Sequence, residues 1–530
     1  MDKQIREHER AVRALEEQIR EHERATIELK RARNSLLNIS KLPPEVLGNI
    51  FRWNVSFEND FGGLEEGSHD FLFVCHHWSE VASHTSGLWS FWGNNLKDWA
   101  RWCRRSGTAP LDLVLDGVEY GVENFDTILH NALQDHATAD TIRRVHLKTY
   151  DRVFLSTIIA SLTAECEGTR SNSVGSLVLR QYNSAVDLSD FFAHYRFPKL
   201  RRLDLLNCTT SSWDHLTSRT GALTYLTLDL SHPESGPTTS QLLSILASNP
   251  ILQRLTLSNH AVPNDDGGQS SFRVPLRHLK KLDLSGDSRD VMRFLHWLDH
   301  PASMDHLSLA LRDWTVAEIP QVIVPYFRDY LNRRGRSQNG LGFSLCPISG
   351  ITLSTGDACR TSGPLLAARP INTFVEITLC QNEELPRDAQ ENAILDLISY
   401  VLQEEIVYFR IRRNSVAMGK VYAQFPNLKT LSLAEMPLSA AFPRPNPAED
   451  EGILPSLRWM FLQELVVDVD YWSPLTTFLA RRASSGSRLY KLEISRSSHM
   501  CPEVVESISG AAQQVKIEDP GPVCPFEVCS

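Results

Sequence analysis

Apolar positions along this chain fall into three successive patterns, and each predicts a different kind of element. The first has a seven-residue period. Residues 4–10 read QIREHER and residues 18–24 read QIREHER again, an offset of 14, or two heptads. With Ile5 at position a, that position holds Ile5, Val12, Ile19, Thr26 and Arg33, and position d holds His8, Leu15, His22, Leu29 and Leu36. Glu9, Glu16, Glu23 and Lys30 occupy e, and no proline occurs before Pro43. The pattern predicts one helix of about 35 residues, roughly 50 Å long at 1.5 Å per residue. Its seam is apolar at about six of ten places. The helix therefore pairs with a second copy, pairs within the chain, or lies solvated alone. His8 and His22 read as polar positions that set register, where protonation would oppose close pairing.

After Asn38 the period becomes that of short amphipathic helices. In ISKLPPEVLGNIFRWNV, Pro43 and Pro44 suit a first helical turn and Glu45 suits its positive dipole. Val46, Leu47, Ile50 and Phe51 make one stripe at helical spacing. The polar stretch SFENDFGGLEEGSHD (56–70) reads as a loop. Phe71, Val74, Cys75, Trp78, Val81 and Ala82 predict a second helix, and Leu88, Trp89, Phe91 and Trp92 extend the apolar surface. Leu96, Trp99 and Cys103 form a third stripe that ends near Gly107, a residue suited to a C-cap. Six of the eleven tryptophans (53, 78, 89, 92, 99 and 102) fall in this stretch. So small a helical module cannot bury them all, and the surplus marks a partner surface.

From about residue 140 a third pattern recurs, apolar-x-x-apolar-x-apolar. Its phrases are IRRVHL (142–147), LRRLDL (200–205), LTYLTL (223–228), LQRLTL (252–257), LKKLDL (279–284) and MDHLSL (304–309). FVEITL (374–379), IVYFRI (406–411), LKTLSL (428–433), LQELVV (462–467), LYKLEI (489–494) and AQQVKI (512–517) follow. Central residues 203, 226, 255, 282 and 307 lie 23, 29, 27 and 25 apart, the period of leucine-rich repeats. TTSQLLSILASNP, SRDVMRFLHWL and SPLTTFLARR read as helices between strands. Strand then helix in each unit predicts an α/β solenoid with parallel strands lining one face. The stretch 309–374 has no clear unit. NRRGRSQNGLG (332–342) and PRPNPAEDEG (443–452) read as loops.

The second pattern carries a resemblance. LPPEVLGNIF, then VCHHWSEVA, then GLWSFW is similar to the F-box, a short helical motif that docks a Skp-type adaptor. The continuation WARWCRRSGTAPLDLVL resembles fungal F-box proteins of the basidiomycete type, which also carry an N-terminal coiled coil and a leucine-rich C-terminal half. The resemblance covers about 75 residues. It implies an adaptor-binding set of Leu42, Pro43, Glu45, Ile50, Phe51, Val74, Cys75, Trp78, Leu88 and Trp89. The distance from Phe51 to Val74 is longer than in the usual motif, and its middle lacks the customary leucines.

Composition narrows the rest. With 42% apolar and 22% charged residues the chain is globular, and its net charge of −10 argues against nucleic-acid and polybasic membrane partners. No stretch is apolar enough for a membrane span, and MDKQIREHER is too charged for a signal peptide. The ten scattered cysteines read as reduced thiols. Cys75, His76, His77 and Cys103 lack the spacing of a zinc site, and no catalytic motif occurs, so no cofactor, metal or enzymatic activity is expected. Basic residues gather before the strands. Arg201, Arg202, Arg254, Lys280, Lys281 and Arg410 are the candidate substrate-binding residues, for an acidic or phosphorylated peptide. Asp204, Asp283 and Glu493 instead allow a charge-balanced, solvated face.

The expected architecture is α/β: a coiled-coil helix (1–37), an F-box-like all-α module (38–110) and an irregular leucine-rich solenoid (111–530). The expected function is a substrate-recognition adaptor of a Skp–cullin–F-box ubiquitin ligase. Its partners would be a Skp-type adaptor with its cullin-RING ligase, a protein substrate and a second copy through the first helix. Such a protein would work in the cytoplasm, the nucleus or both. A leucine-rich interaction scaffold outside ubiquitination is the alternative.

Overall fold

A computed structural model describes residues 2–58, 64–66, 70–92, 105–116, 142–164, 170–264, 273–330, 341–345, 351–355, 374–379, 406–412, 422–434, 442, 454–463, 472–495 and 502–518, apart from scattered positions within these ranges. The chain is mixed α/β, with an N-terminal helical region and a large, predominantly parallel sheet. It divides into two compact units, Met1–Leu203 and Asp204–Ser530, and the division falls inside the strand Arg202–Leu206.

Unit one begins with α1 (Asp2–Ser35), as the heptads require. α2 (Pro44–Val55) starts where the proline pair predicts. The Pro43 carbonyl accepts from the amides of Val46 and Leu47 at 3.0 and 3.1 Å, so the residue without a donor sits where none is needed. The stretch expected to be a loop contains a short antiparallel pair, Ser56–Glu58 with Leu64–Glu66. The helix expected to run from Phe71 is broken. Asp70–Phe73 forms one 3-10 turn, Cys75 is extended (φ −162°, ψ 167°), and α3 (His76–His84) follows. The third apolar stripe lies outside the described residues, except that Gly107 has φ +55°, as a helix C-cap requires.

Four parallel strands follow: β1 (Phe91–Trp92), β2 (Leu111–Asp116), β3 (Ile142–Thr149) and β4 (Ser176–Gln181). Helices α4 (Arg152–Ala164) and α5 (Ser189–His194) come after β3 and β4. The sheet thus starts before the first repeat phrase. LDLVLD at β2 does not fit that phrase because both its faces are covered. Asp112, Leu113, Val114 and Leu115 are all buried, and Val114 shares a core with Leu47, Phe51, Phe71, Val81, Leu88 and Trp89. The helical region and the first strands of unit one therefore fold around one core.

In unit two, β5 (Arg202–Leu206) is followed by β6 (Tyr225–Leu230), β7 (Arg254–Asn259), β8 (Lys281–Asp287) and β9 (His306–Arg312). From β6 to β9 each strand lies parallel to the next, with Leu226, Leu255, Leu282 and Leu307 as register partners and Leu228, Leu257, Leu284 and Leu309 one step on. All eight leucines are buried, so the alternation drives the stacking. In the phrases that start at 200, 223, 252, 279, 304 and 428 the first apolar residue precedes the strand, whereas Ile142, Phe374, Ile406, Leu489 and Ala512 open theirs. Leu200, Leu252, Leu279, Leu428 and Leu457 are buried and close a turn onto the carbonyl three residues back. The strands of those six phrases therefore begin two residues later than the phrases themselves.

The stretch without a repeat unit holds β10 (Leu341–Leu345) and β11 (Ile351–Thr355), an antiparallel hairpin. It is inserted between β12 (Phe374–Leu379), which pairs parallel to β9 and antiparallel to β11, and β13 (Ile406–Arg412), which pairs parallel to β10. Residues 341–342, expected in a loop, thus open a strand. β14 (Thr430–Ala434), β15 (Trp459–Gln463), β16 (Leu489–Ser495) and β17 (Ala512–Glu518) complete the parallel order. β15 is WMFLQ, three residues ahead of the expected LQELVV. Met460 and Leu462 are its buried apolar residues, and Leu457 is buried in the turn before it.

Helices between strands carry their own stop and start signals. α6 (Thr239–Ala247) begins on a reciprocal capping box. The Gln241 amide donates to the Thr238 hydroxyl, and the Thr238 amide donates to the Gln241 side chain. It ends near Asn249, whose buried side chain donates to the Ile245 carbonyl at 2.8 Å and accepts from the Leu223 amide at 3.0 Å. Asn249→Ala leaves both backbone groups without a partner, at an expected cost of about 2 kcal/mol. The urea midpoint of unit two checks this, and an unchanged midpoint would remove Asn249 as a brace between repeats.

Candidate protein-interaction surfaces

The expected adaptor-binding residues separate into two groups. Phe51, Leu88 and Trp89 are buried, at 1%, 0% and 2% exposure. Phe51 stacks on Phe71 at 4.5 Å with 7° between planes and lies 5.1 Å from the half-buried Trp78. Trp89 donates its indole N–H to the Ala82 carbonyl at 2.8 Å, and the Arg105 guanidinium sits 4.3 Å from its ring centre. These residues shape the surface from beneath. The burial of Trp89 also removes it from the aromatic surplus inferred from the sequence.

The second group faces outward. Pro43, Glu45, Ile50 and Val74 are exposed, and Leu42 and Cys75 are half-buried. The stripe read as one face of α2 is in fact two. Leu47 and Phe51 point into the core, whereas Val46, Ile50 and Trp53 form an outer row at i, i+4 and i+7. Trp53 is 80% exposed and Phe73, just before Val74, is 85% exposed. The pair of short strands after α2 absorbs the long Phe51–Val74 connection and lets Phe71 return to stack on Phe51. Trp53 and Phe73 were not among the expected site residues. The excess of tryptophans pointed to Trp53 but not to Phe73, which ends the 3-10 turn before the helix break at Cys75.

The strand-lined face of unit two is the second surface. Thr227, Thr256, Asp283 and Ser308 share one column, and Tyr225, Arg254, Lys281 and His306 the next. Asp283 organises it. It accepts from His306 at 2.7 Å, Lys281 at 3.1 Å and the Thr256 hydroxyl at 3.2 Å. Burial alone would raise this carboxyl. The hydrogen bond from His306 and the charges of His306 and Lys281 outweigh it and hold the group below its ordinary value. The Arg254 guanidinium lies 5.6 Å from the Tyr225 ring centre. Further along, Lys491 pairs with Glu493 at 2.6 Å, close to the Phe461 ring.

Of the expected substrate-binding cations, Arg254 and Lys281 lie side by side in the ladder and Lys280 is exposed. The backbone of Arg410 lies in β13, and its side chain is outside the described residues. Arg201 and Arg202 belong to unit one, where their amides donate to the Gly175 carbonyl. In unit one Arg143 makes two hydrogen bonds to the buried Asp112, which raises its already high pKa. Within unit two, the pairs of Asp283 and Glu493 with their cations make the strand-lined face charge-balanced, not uniformly basic. The pairing of Asp283 with His306 follows from neighbouring strand columns, whereas Arg143 reaches Asp112 at a bulge where the register pairs Asp112 with Arg144.

Cys75 is a free thiol preceding α3, and burial pushes the thiol of Cys208 far above its ordinary range. Among the described residues no helix is long and apolar enough to cross a membrane. No protein-family model matches the chain, and no curated protein matches it.

Proposed function

We propose that the chain is a non-enzymatic recognition adaptor of a Skp–cullin–F-box ubiquitin ligase, working in the cytoplasm or nucleus. The outer row of α2 and the adjoining Phe73–Val74 dock the Skp-type adaptor. The strand-lined face holds a substrate protein, and the repeat strands act as a solenoid scaffold for it. The reading is carried by the split of α2, in which the motif's Phe51 anchors the core while Val46, Ile50 and Trp53 stand out as an apolar row beside Pro43 and Glu45. An exposed apolar row next to charged and proline positions is what a partner groove requires. The protein then makes no bonds itself. It raises the effective concentration of substrate lysines near a separately supplied conjugating enzyme.

Binding of a purified Skp-type adaptor tests the assignment by calorimetry. The full chain is expected to bind, and Ile50→Ala with Trp53→Ala to weaken binding about 30-fold or more, as expected for two central apolar contacts. Absence of binding by the unmodified chain would sink the ligase reading. The scaffold alternative draws on the strand pair inserted between Ser56 and Glu66, which lengthens the middle of the motif. It is favoured if the adaptor fails to bind while the chain still retains a protein on the strand face.

A further inference from the structure

We infer that α1 is a parallel, two-stranded self-association coil in which His8 and His22 form matched layers that make pairing sensitive to pH. Every described residue from His8 to Arg33 is exposed. That includes the seam, with Val12 at 53%, Leu15 at 59%, Ile19 at 57% and Leu29 at 73% exposure, and Leu36, just past the helix end, is 75% exposed. A solvated helix of 34 residues carrying such a row gains little stability by itself, because helices in proteins depend on burying an apolar face. The occupant of that face must repeat its apolar contacts every seven residues over five turns of the pattern. A second copy meets this condition, because QIREHER at 4–10 and 18–24 gives it the same spacing of a and d residues.

The match of seam layers selects the orientation, and the flank charges allow it. The g positions are Gln4, Ala11, Gln18, Ala25 and Ala32, none of them charged. In a parallel pair they face Glu9, Glu16, Glu23 and Lys30 at e, so no like charges meet across the flanks. An antiparallel pair would instead set e against e, with Glu16 opposite Glu23 and Glu9 opposite Lys30, and would put Ile19 against His22 and Leu15 against Thr26 in the seam, breaking apolar layers that the parallel pair keeps. Parallel pairing in register gives apolar layers at Ile5, Val12, Leu15, Ile19, Leu29 and Leu36. It also sets His8 against His8 and His22 against His22 of the second copy. Arg33 is the last a position, and its long stem lets the guanidinium leave the interface.

When both histidines of a layer carry a proton, like charges meet at the seam and the pair loosens. Glu9 and Glu23, the next residues at e, flank these layers and moderate the repulsion without removing it. The exposed face of α1 makes its variants safe for the rest of the fold.

Sedimentation of the full chain at pH 8 is expected to give twice the 59.9 kDa chain mass. Leu15→Glu with Leu29→Glu should return it to a single chain. Val12→Cys under mild oxidation should join residue 12 to residue 12, identified by peptide mass spectrometry. The dissociation constant should rise at least about fivefold from pH 8 to pH 6, and His8→Leu with His22→Leu should remove that rise. A chain that stays single at tens of micromolar overturns the coil. A chain that sediments as a pair yet forms no link between the two residues 12 overturns the parallel arrangement, and a pH-independent constant overturns the histidine layers.

Discussion

Phe51→Ala is expected to destabilise the helical region by about 3–5 kcal/mol, the range for removing a fully buried aromatic side chain. Phe51 is 1% exposed and touches three elements at once: it lies on α2, stacks on Phe71 of the 3-10 turn and meets Trp78 of α3. Its loss leaves a cavity where these converge, and Val114 of β2 lines the same core. Hydrogen exchange over residues 44–92 is the suitable measurement, because a chain of two compact units need not unfold in one step. Amides of α2 and α3 should lose protection together. Phe51→Leu, which keeps much of the volume, should cost under about 1.5 kcal/mol. Protection within about 1 kcal/mol of the parent in Phe51→Ala would show that the cluster does not hold the module.

The contrast with Ile50 makes this a test of function as well as of folding. Ile50 is the neighbouring motif position, yet it is 44% exposed, and Ile50→Ala removes little buried area. If the docking proposal holds, Phe51→Ala loses the partner by melting the surface, and Ile50→Ala loses it with protection intact. The same binding defect would then arise from two separable physical causes.

Much of this division was hidden in the sequence for a simple geometric reason. Val46, Leu47, Ile50 and Phe51 span nearly half of a helix circumference, so spacing alone cannot say which pair faces inward. The answer depends on Phe71, which reaches the core only because the strand pair at Ser56–Glu66 and the extended Cys75 bend the chain back. Neither bend has a hydrophobic period. In the repeats the reverse holds. Leu226, Leu255, Leu282 and Leu307 alternate with polar residues and bury one face, so the strands and their parallel order were legible directly. β2 was missed because Asp112 and Val114, on its second face, are buried too, and a strand covered on both sides has no alternation to read. The hairpin Leu341–Thr355 interrupts the period, so a repeat search meets only a gap there.

Acid should destabilise unit one through His146 more steeply than carboxylate titration alone predicts. His146 lies in β3, is 3% exposed, and makes a 2.7 Å hydrogen bond between its Nε2 and the Ser176 hydroxyl. Burial, and then the charges of Arg202, Arg144, Lys148 and Arg180, lower its pKa to about 3. The group is neutral in both folded and unfolded chains above pH 6.5, so its contribution to stability is complete there. As pH falls from 6.5 towards 3 the unfolded chain takes up a proton that the folded chain refuses, and stability falls. The expected loss is about 2 kcal/mol at pH 5 and about 3 kcal/mol at pH 4, relative to pH 7. His146→Gln keeps a partner for Ser176 and cannot titrate. Subtracting its urea-unfolding curve from that of the parent at each pH cancels the carboxylates, which both chains share. The difference should grow by about 1.4 kcal/mol per pH unit below 6.5 and flatten near pH 3. A difference that stays constant with pH would mean that the imidazole takes up its proton in the folded chain and that the surrounding cations are screened by solvent.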